Sequence, residues 1–334
     1  PAIYPAVWSD GRIASGKSGA NPYGLLVEGG SSVAHSTQVG GKGSITYKPI
    51  KDLSISAIIS PFINFSKQKA FQLESTYTLA DDPNTIGGYL DAGSLYSTNK
   101  LSEMRNDNWH VTSQLLANYM HAFGKHDVTV MGGFENYYLK NESLGASRDH
   151  YELTNYPYLN IGSEDYQYNN GTGSEYTSNS FFGRLLYSYD NRYLLQANVR
   201  HDGSSRFNSK YRWGTFPSFS AGWVVSEEPF MQKARLPWLS FLKLRASYSA
   251  VGSSYAAYLT KPYYDYKGQT HEWDSLHRFP NENLKPEKTK SWEVGLNARF
   301  FGGKLNFDAT WYRSDTFNQT FESTPSSTSG YSSV

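Results

Sequence analysis

The sequence predicts an all-β fold, part of a transmembrane antiparallel β-barrel with about ten strands in this chain. Three observations lead there. Apolar and polar residues alternate along many short segments, the connections between those segments are short and long in turn, and the composition joins many aromatic residues to few charges.

Aromatic residues make up 16% of the chain and charged residues 18%, where a soluble domain carries about 25% charged residues. The mean hydropathy of -0.58 would suit a soluble protein. It suits a barrel equally, because half of each barrel strand faces water and the long loops are hydrophilic. No apolar run approaches the ~18 residues of a membrane helix. A basic n-region followed by an apolar h-region is not visible, so the chain reads as mature, truncated or internal. The lack of Cys is compatible with an oxidising compartment, and a formal net charge of +1 gives no support to nucleic-acid binding.

Side chains on a strand point alternately to opposite faces, so parity separates the two surfaces of each segment. A weak first segment, Val39 to Tyr47, is diluted by Gly40, Gly41 and Gly43. Leu53 to Phe65 follows, with Leu53, Ile55, Ala57 and Ile59 on one face. Trp109 to Met120 sets Trp109, Val111, Leu115, Ala117 and Tyr119 against His110, Thr112, Gln114 and Asn118. Asp127 to Tyr138 and Asn179 to Tyr189 continue the pattern. The clearest case is Tyr193 to Asp202, where Tyr193, Leu195, Ala197 and Val199 oppose Gln196, Asn198, Arg200 and Asp202. Phe216 to Val225, Phe241 to Val251, Trp292 to Phe300 and Lys304 to Tyr312 complete the set. The apolar parity is expected to face lipid and the polar parity a wet interior.

Turn formers fill the tight links Lys48 to Asp52, Gly124 to His126, Asp190 to Arg192 and Gly302-Gly303. Long Ser/Gly/Asn/Tyr-rich stretches lie at 67–107, 140–178, 203–215 and 252–290. Outer-membrane barrels sort their links in this way, with short periplasmic turns at one end and long extracellular loops at the other. The medium link at 226–238 opens Ser226-Glu227-Glu228-Pro229, which reads as an N-cap and a short rim helix. Residues 1–33 and 316–334 read as pieces of outer loops, and Tyr331 to Val334 as no closing strand. An open sheet would leave unsatisfied backbone groups in lipid, so the chain is expected to be part of a larger barrel.

Candidate functional residues fall into two groups. Arg184, Arg200, Asp202, Lys243, Arg245, Glu293, Arg299 and Asp308 take the inward parity, as contacts for a substrate or plug or as cross-strand ladders that hold the wall. Tyr151, Tyr156, Tyr158, Tyr166, Tyr168, Tyr263, Tyr264, Tyr266 and Trp273 lie in the long loops, where aromatic faces stack on sugars or peptide side chains or pack the loops together. Arg200, Asp202, Arg245, Arg299, Tyr166, Tyr264 and Trp273 are the leading substrate-binding candidates. Tyr187, Tyr189, Tyr193, Trp292 and Trp311 fit interfacial girdles. The histidines show no metal-binding spacing, Asp81-Asp82-Pro83-Asn84 reads as a solvated turn before a Ca²⁺ loop, and no catalytic or nucleotide-binding motif is visible. No cofactor and no enzymatic activity are expected.

Several blocks resemble the SusC/RagA family of TonB-dependent outer-membrane transporters of Bacteroidetes. The strongest runs from Tyr193 to Phe207, through Trp213-Gly214-Thr215-Phe216-Pro217-Ser218-Phe219 to Gly222-Trp223, and on to Ser226-Glu227-Glu228-Pro229-Phe230. Leu242 to Gly252, Asn283 to Leu296 and Gly40 to Leu53 add to it, and together the blocks cover 35–315 in order. The resemblance implies a 22-stranded barrel around a plug, with residues 1–334 forming part of the barrel domain. It implies import of oligosaccharides or peptides across the outer membrane, a SusD-like surface lipoprotein as lid, and TonB as the energy-coupling partner. Plug, TonB box and closing C-terminal strands are not visible in this chain. The alternative is a self-contained ten-stranded outer-membrane enzyme resembling an omptin-like protease.

Overall fold

The computed structural model describes residues 4–17, 19–90, 96–253, 263–266, 269–272, 285–319, 326 and 328. Helix α1 (Pro22–Glu28) precedes the strands, and helix α2 (Pro229–Ala234) interrupts them. In chain order the strands are β1 (Gly30–Gly40), β2 (Gly43–Ile50), β3 (Leu53–Gln72), β4 (Thr76–Thr78), β5 (Ile86–Tyr89), β6 (Lys100–Phe123) and β7 (His126–Asp149). They continue with β8 (Gln167–Tyr189), β9 (Tyr193–Ser204), β10 (Trp213–Val224), β11 (Leu239–Ser253), β12 (Tyr263–Tyr266), β13 (Gln269–Glu272), β14 (Glu287–Phe300) and β15 (Leu305–Phe317).

One antiparallel sheet runs β1-β3-β6-β7-β8-β9-β10-β11-β14-β15, with β2 also on β3. Each long strand therefore pairs with its sequence neighbour, as in an up-and-down barrel wall. Among the described residues, β1 and β2 at one end of the order do not pair with β15 at the other. The expected weak first strand is real but divided. β1 and β2 meet β3 in one register, Gly40 opposite Phe62 and Gly43 opposite Ile59. The break faces Pro61, which has no N–H to give the ladder.

The tight links form as their residues require. In the three-residue link between Tyr189 and Tyr193, the Arg192 N–H donates to the Tyr189 carbonyl at 2.9 Å, and Asp190 and Asn191 both take positive φ, which Asp and Asn tolerate. Gly124 (φ +59°) and Gly302 (φ +67°) do the same at their turns. The medium link is helical, as expected, but its N-cap is Glu228 and not Ser226, with Pro229 in the first turn.

The long links differ from expectation. β6 and β7 each run 24 residues and β8 runs 23, well into 67–107 and 140–178. A spanning strand needs ~9–11 residues. The extra lengths carry no apolar alternation, because in water both faces of a ladder can be polar. Asn108 donates to Asn141 Oδ1 at 2.5 Å, and Asn141 donates to Ser174 Oγ at 3.3 Å, joining β6, β7 and β8.

The chain divides into two compact units. The first holds Pro1–Gly41, Pro61–His110 and Leu139–Glu175. Its core gathers Phe71, Leu101 and Tyr151, with Leu73, Leu159 and Ile161 packed against them. In its N-terminal part, Asn21 caps α1 through its Oδ1, while its Nδ2 donates to the carbonyls of Ala6 (2.7 Å) and Ala14 (2.8 Å). Trp8 and Arg12 donate to Thr78 at 2.8 and 2.5 Å. The second unit holds Lys42–Ser60, Val111–Tyr138 and Tyr176–Val334. It contains all of β9, β10, β11, β14 and β15. The predicted outward parity is the more exposed one along β9 and β10, whereas β15 is exposed on both faces and Ala298 of β14 is buried. Leu195, Val199, Leu244, Val294 and Phe307 are exposed among the described residues, and Leu296 is half-buried.

Candidate functional site

Register decides which inward-facing residues meet. Phe182 and Ser180 of β8 lie opposite Arg200 and Asp202 of β9. The Arg200 guanidinium donates from Nη2 to Ser180 Oγ at 2.8 Å and to Glu135 Oε1 of β7 at 3.0 Å, and from Nε to Asp202 Oδ1 at 2.7 Å. Its plane lies 5.5 Å from the Phe182 ring centroid. Glu135 is further held by Gln114 Nε2 of β6 at 2.6 Å. The cation thus joins three strands, Glu135 extends the network to a fourth through Gln114, and two carboxylates take up the charge. A small concavity of about 160 Å³ opens beside it, lined by Tyr176, Arg200, Asp202, Arg212 and Phe216.

A second group centres on Arg245 of β11. Its Nη1 pairs with Glu293 of β14, and Nη2 donates to Thr310 Oγ1 of β15 at 2.5 Å. Gly295 stands opposite Arg245 in the ladder, and a Cβ there would come within 2.6 Å of the guanidinium. The glycine is what lets the side chain lie flat across β14. A larger concavity, about 490 Å³, is lined here by Asp127, Gln196, Lys243, Arg245 and Glu293 among others. Asp308 of β15 accepts from Asn297 of β14. Arg299 lies 5.1 Å from the Phe241 ring centroid. Arg184, Lys243 and Arg299 form no ion pair among the described residues.

The loop aromatics divide. Tyr151 is 3% exposed, edge-on to Phe71 at 5.2 Å, and its phenol is raised above its ordinary range by burial, so it belongs to the core and not to a ligand surface. Tyr156 and Tyr158 are exposed and adjacent at 4.6 Å, with Lys69 4.3 Å over Tyr158. Tyr166 is exposed and stacks on His150 at 4.0 Å. Trp273 lies outside the described residues, as does the terminus at Tyr331 to Val334. Tyr264 is on β12, paired with His271 of β13.

At the short-turn end, the girdle is a connected row of rings. His126 stacks on Phe123 at 4.9 Å and meets Tyr189 at 4.8 Å, and Tyr189 meets Tyr193 at 6.2 Å. The turns behind it are tied by charge. Lys125 donates to Asp190 at 2.8 Å, and Arg192 reaches the same carboxylate at 2.5 Å. The Lys125 hydrogen bond, with Arg192 beside it, holds the Asp190 carboxyl below the usual carboxylate range. Tyr193 Oη and Trp223 Nε1 both donate to Glu228 Oε1, at 2.6 and 2.9 Å, and hold that carboxyl low as well. Among the described residues no group of His, Asp and Glu is placed to hold a metal ion.

Sequence reasoning found Arg200, Asp202, Arg245 and Glu293 but missed Glu135, Thr310 and Gln114 as their partners. Glu135 was readable only as an inward position of β7. Nothing in the chain order announces that it meets a residue 65 positions later.

An open up-and-down sheet with a bare apolar face and an ion-paired polar face defines a wall segment of a transmembrane β-barrel. The family model described as TonB dependent receptor-like, beta-barrel, matches residues 30–334, and the chain belongs to that family of outer-membrane proteins. It is similar to the TonB-dependent receptor SusC of Bacteroides thetaiotaomicron, 33% identical over 242 residues, covering 70% of this chain and 23% of that protein. It is also similar to the TonB-dependent receptor P26 of Formosa agariphila, 30% identical over 305 residues, covering 86% of this chain and 29% of that one. Among solved structures, the RagAB peptide transporter superposes with a TM-score of 0.78 over 99% of this chain and 35% of that one, at 22% identity, a likeness of fold. The chain spans about a quarter of the length of the curated relatives it matches.

Proposed function

We propose that this chain is part of the barrel wall of a SusC-like TonB-dependent importer, which takes oligosaccharides or peptides across the outer membrane. In this reading residues 1–334 are a portion of a 22-stranded barrel, and the plug, TonB box and closing strands belong to other parts of the protein. A SusD-like lipoprotein covers the loop side, and TonB drives the plug. The observation that supports it most is the family match over almost the whole sheet, together with a polar inner face of paired charges. Such a wall binds and guides and performs no bond-breaking chemistry. The protease alternative finds no support in relatives that are all named TonB-dependent receptors.

Within the wall, Arg200, Asp202 and Arg245 hold the strands together and present what remains of their polar edges to the lumen. Arg184, Lys243 and Arg299 have charge to spare for a plug or a passing substrate. Tyr166, Tyr264 and Trp273 belong to the loop contribution. Uptake by cells deleted for the full-length receptor tests the reading, using fluorescent pools of oligosaccharides and of peptides with and without an uncoupler. Energy-dependent uptake of one pool is expected to vanish in the deletion. Unchanged uptake of both pools, or uptake indifferent to the uncoupler, overturns it.

A further inference from the structure

We propose that the link between β10 and β11 is an interfacial anchor that binds anionic glycerophospholipid headgroups of the leaflet on the short-turn side. The side on which α2 sits follows from Glu228. Its carboxylate accepts from Tyr193 Oη and Trp223 Nε1 and is 7% exposed. Tyr193 and Trp223 face each other in the β9–β10 ladder on the outward parity, the one that carries Leu195 and Ala221. The first turn of α2 therefore begins against the membrane-facing girdle.

From there the link is doubly marked for an interface. Phe230, Trp238, Phe301 and Leu305 are 55%, 46%, 58% and 54% exposed. Trp238 lies parallel to Phe300 at 6.0 Å, and the Phe301 N–H donates to the Trp238 carbonyl at 2.9 Å, which joins this link to the β14–β15 turn. Phe300 and Leu305 oppose each other on the outward parity, in line with Ala298 and Phe307. Interleaved with these rings are Lys233, Arg235 and Lys304, all exposed and in no ion pair among the described residues. Glu227 is the exposed acid of the same link, with Gln232 donating to its carbonyl at 3.4 Å.

Water alone would leave four large apolar side chains wet, and hydrocarbon alone would strand three cations. The headgroup region satisfies both, since aromatic rings settle at that depth and Lys and Arg extend to phosphate. Each cation near an anionic leaflet is worth about five-fold in binding. The link's second acid, Glu228, is 7% exposed and is met by Tyr193, Trp223 and Arg192. Continuity with the girdle and three exposed cations from the two links, against the one exposed acid, Glu227, therefore favour an anionic phospholipid over a zwitterionic one.

The full-length receptor, reconstituted in nanodiscs of phosphatidylcholine with or without phosphatidylglycerol, provides the test. A spin label on Phe230→Cys is expected to collide more with oxygen than with an aqueous nickel chelate. In native mass spectrometry, the triple variant Lys233→Gln, Arg235→Gln, Lys304→Gln is expected to retain phosphatidylglycerol about a hundred-fold more weakly. A gel shift on heating confirms that each variant folds as a barrel. Preference for nickel at the label places the link in water, and shielding from both reagents means that protein covers it. Either result overturns the proposal, as does unchanged phosphatidylglycerol retention. None of these readouts depends on the cargo, so the anchor and the import reading fail separately.

Discussion

The two faces of β9, β10, β11, β14 and β15 are built from the same strands by opposite rules. Outward positions act singly: Ala197, Leu244, Val294 and Phe307 need only be apolar, because lipid accepts any hydrocarbon beside any other. Inward positions act in groups: Arg200 is worth keeping only with Glu135, Asp202 and Ser180 around it. A change on the outer face should therefore be judged by depth and polarity, and one on the inner face by the partner it leaves behind.

The sharpest way to break this contrast is a charge on the outer face. Leu296→Arg, between Leu244 and Ala309 in the ladder and midway along β14 from Trp292 to Phe300, is expected to cost about 2–4 kcal/mol. The inward Asn198→Arg is expected to cost far less. Denaturant unfolding of the full-length receptor in lipid vesicles compares them, and equal losses would erase the distinction between the faces.

Next in size is Gly295→Val. The added atoms would meet the Arg245 guanidinium, which lies flat on the glycine and pairs with Glu293, at an expected cost of about 1–3 kcal/mol. At Gly132, where nothing lies within 4 Å, the same replacement should be close to neutral. Similar effects at both positions would mean that Arg245 swings free of β14 at little cost.

Arg200→Gln should cost less again, about 1 kcal/mol, because the ion pairs are half open to water and screened. Added salt should shrink the difference between parent and variant. A loss that is large and indifferent to salt would assign Arg200 a packing role on Phe182 in place of an electrostatic one.

The same contrast explains what could be read from the sequence. A single-residue rule prints itself as alternation, so the outward face of Tyr193 to Asp202 was legible from ten letters. A partner rule does not, since Glu135 and Arg200 are neighbours only once β7, β8 and β9 are in register. Alternation also fades where lipid stops. The upper lengths of β6, β7 and β8 read as loops because Asn108, Asn141 and Ser174 satisfy a ladder in water without a greasy side. Tyr151 misled in the other direction. It looked like one loop aromatic among many, and only the meeting of β3, β6 and the 150–166 segment makes it core.

The smallest expected effect tests whether charges at the short turns follow the inward rule outside the spanning lengths. Asp190 receives Lys125 and Arg192 at once, and its carboxyl is depressed mainly by the Lys125 hydrogen bond. A carboxyl depressed by folding stabilises the folded state in full above the ordinary carboxylate value of about 3.9. That contribution is lost as pH falls through the lower, folded value. Asp190→Asn should thus be less stable than the parent near neutral pH, and the two should converge in acid. Unfolding midpoints followed downward from about pH 7 give the comparison, with Lys125→Gln expected to reproduce the same convergence. Parallel curves for parent and Asp190→Asn would mean that the turn holds Asp190 for its positive φ alone. The cationic pair would then have no part in fastening the β6–β7 turn to the β8–β9 turn.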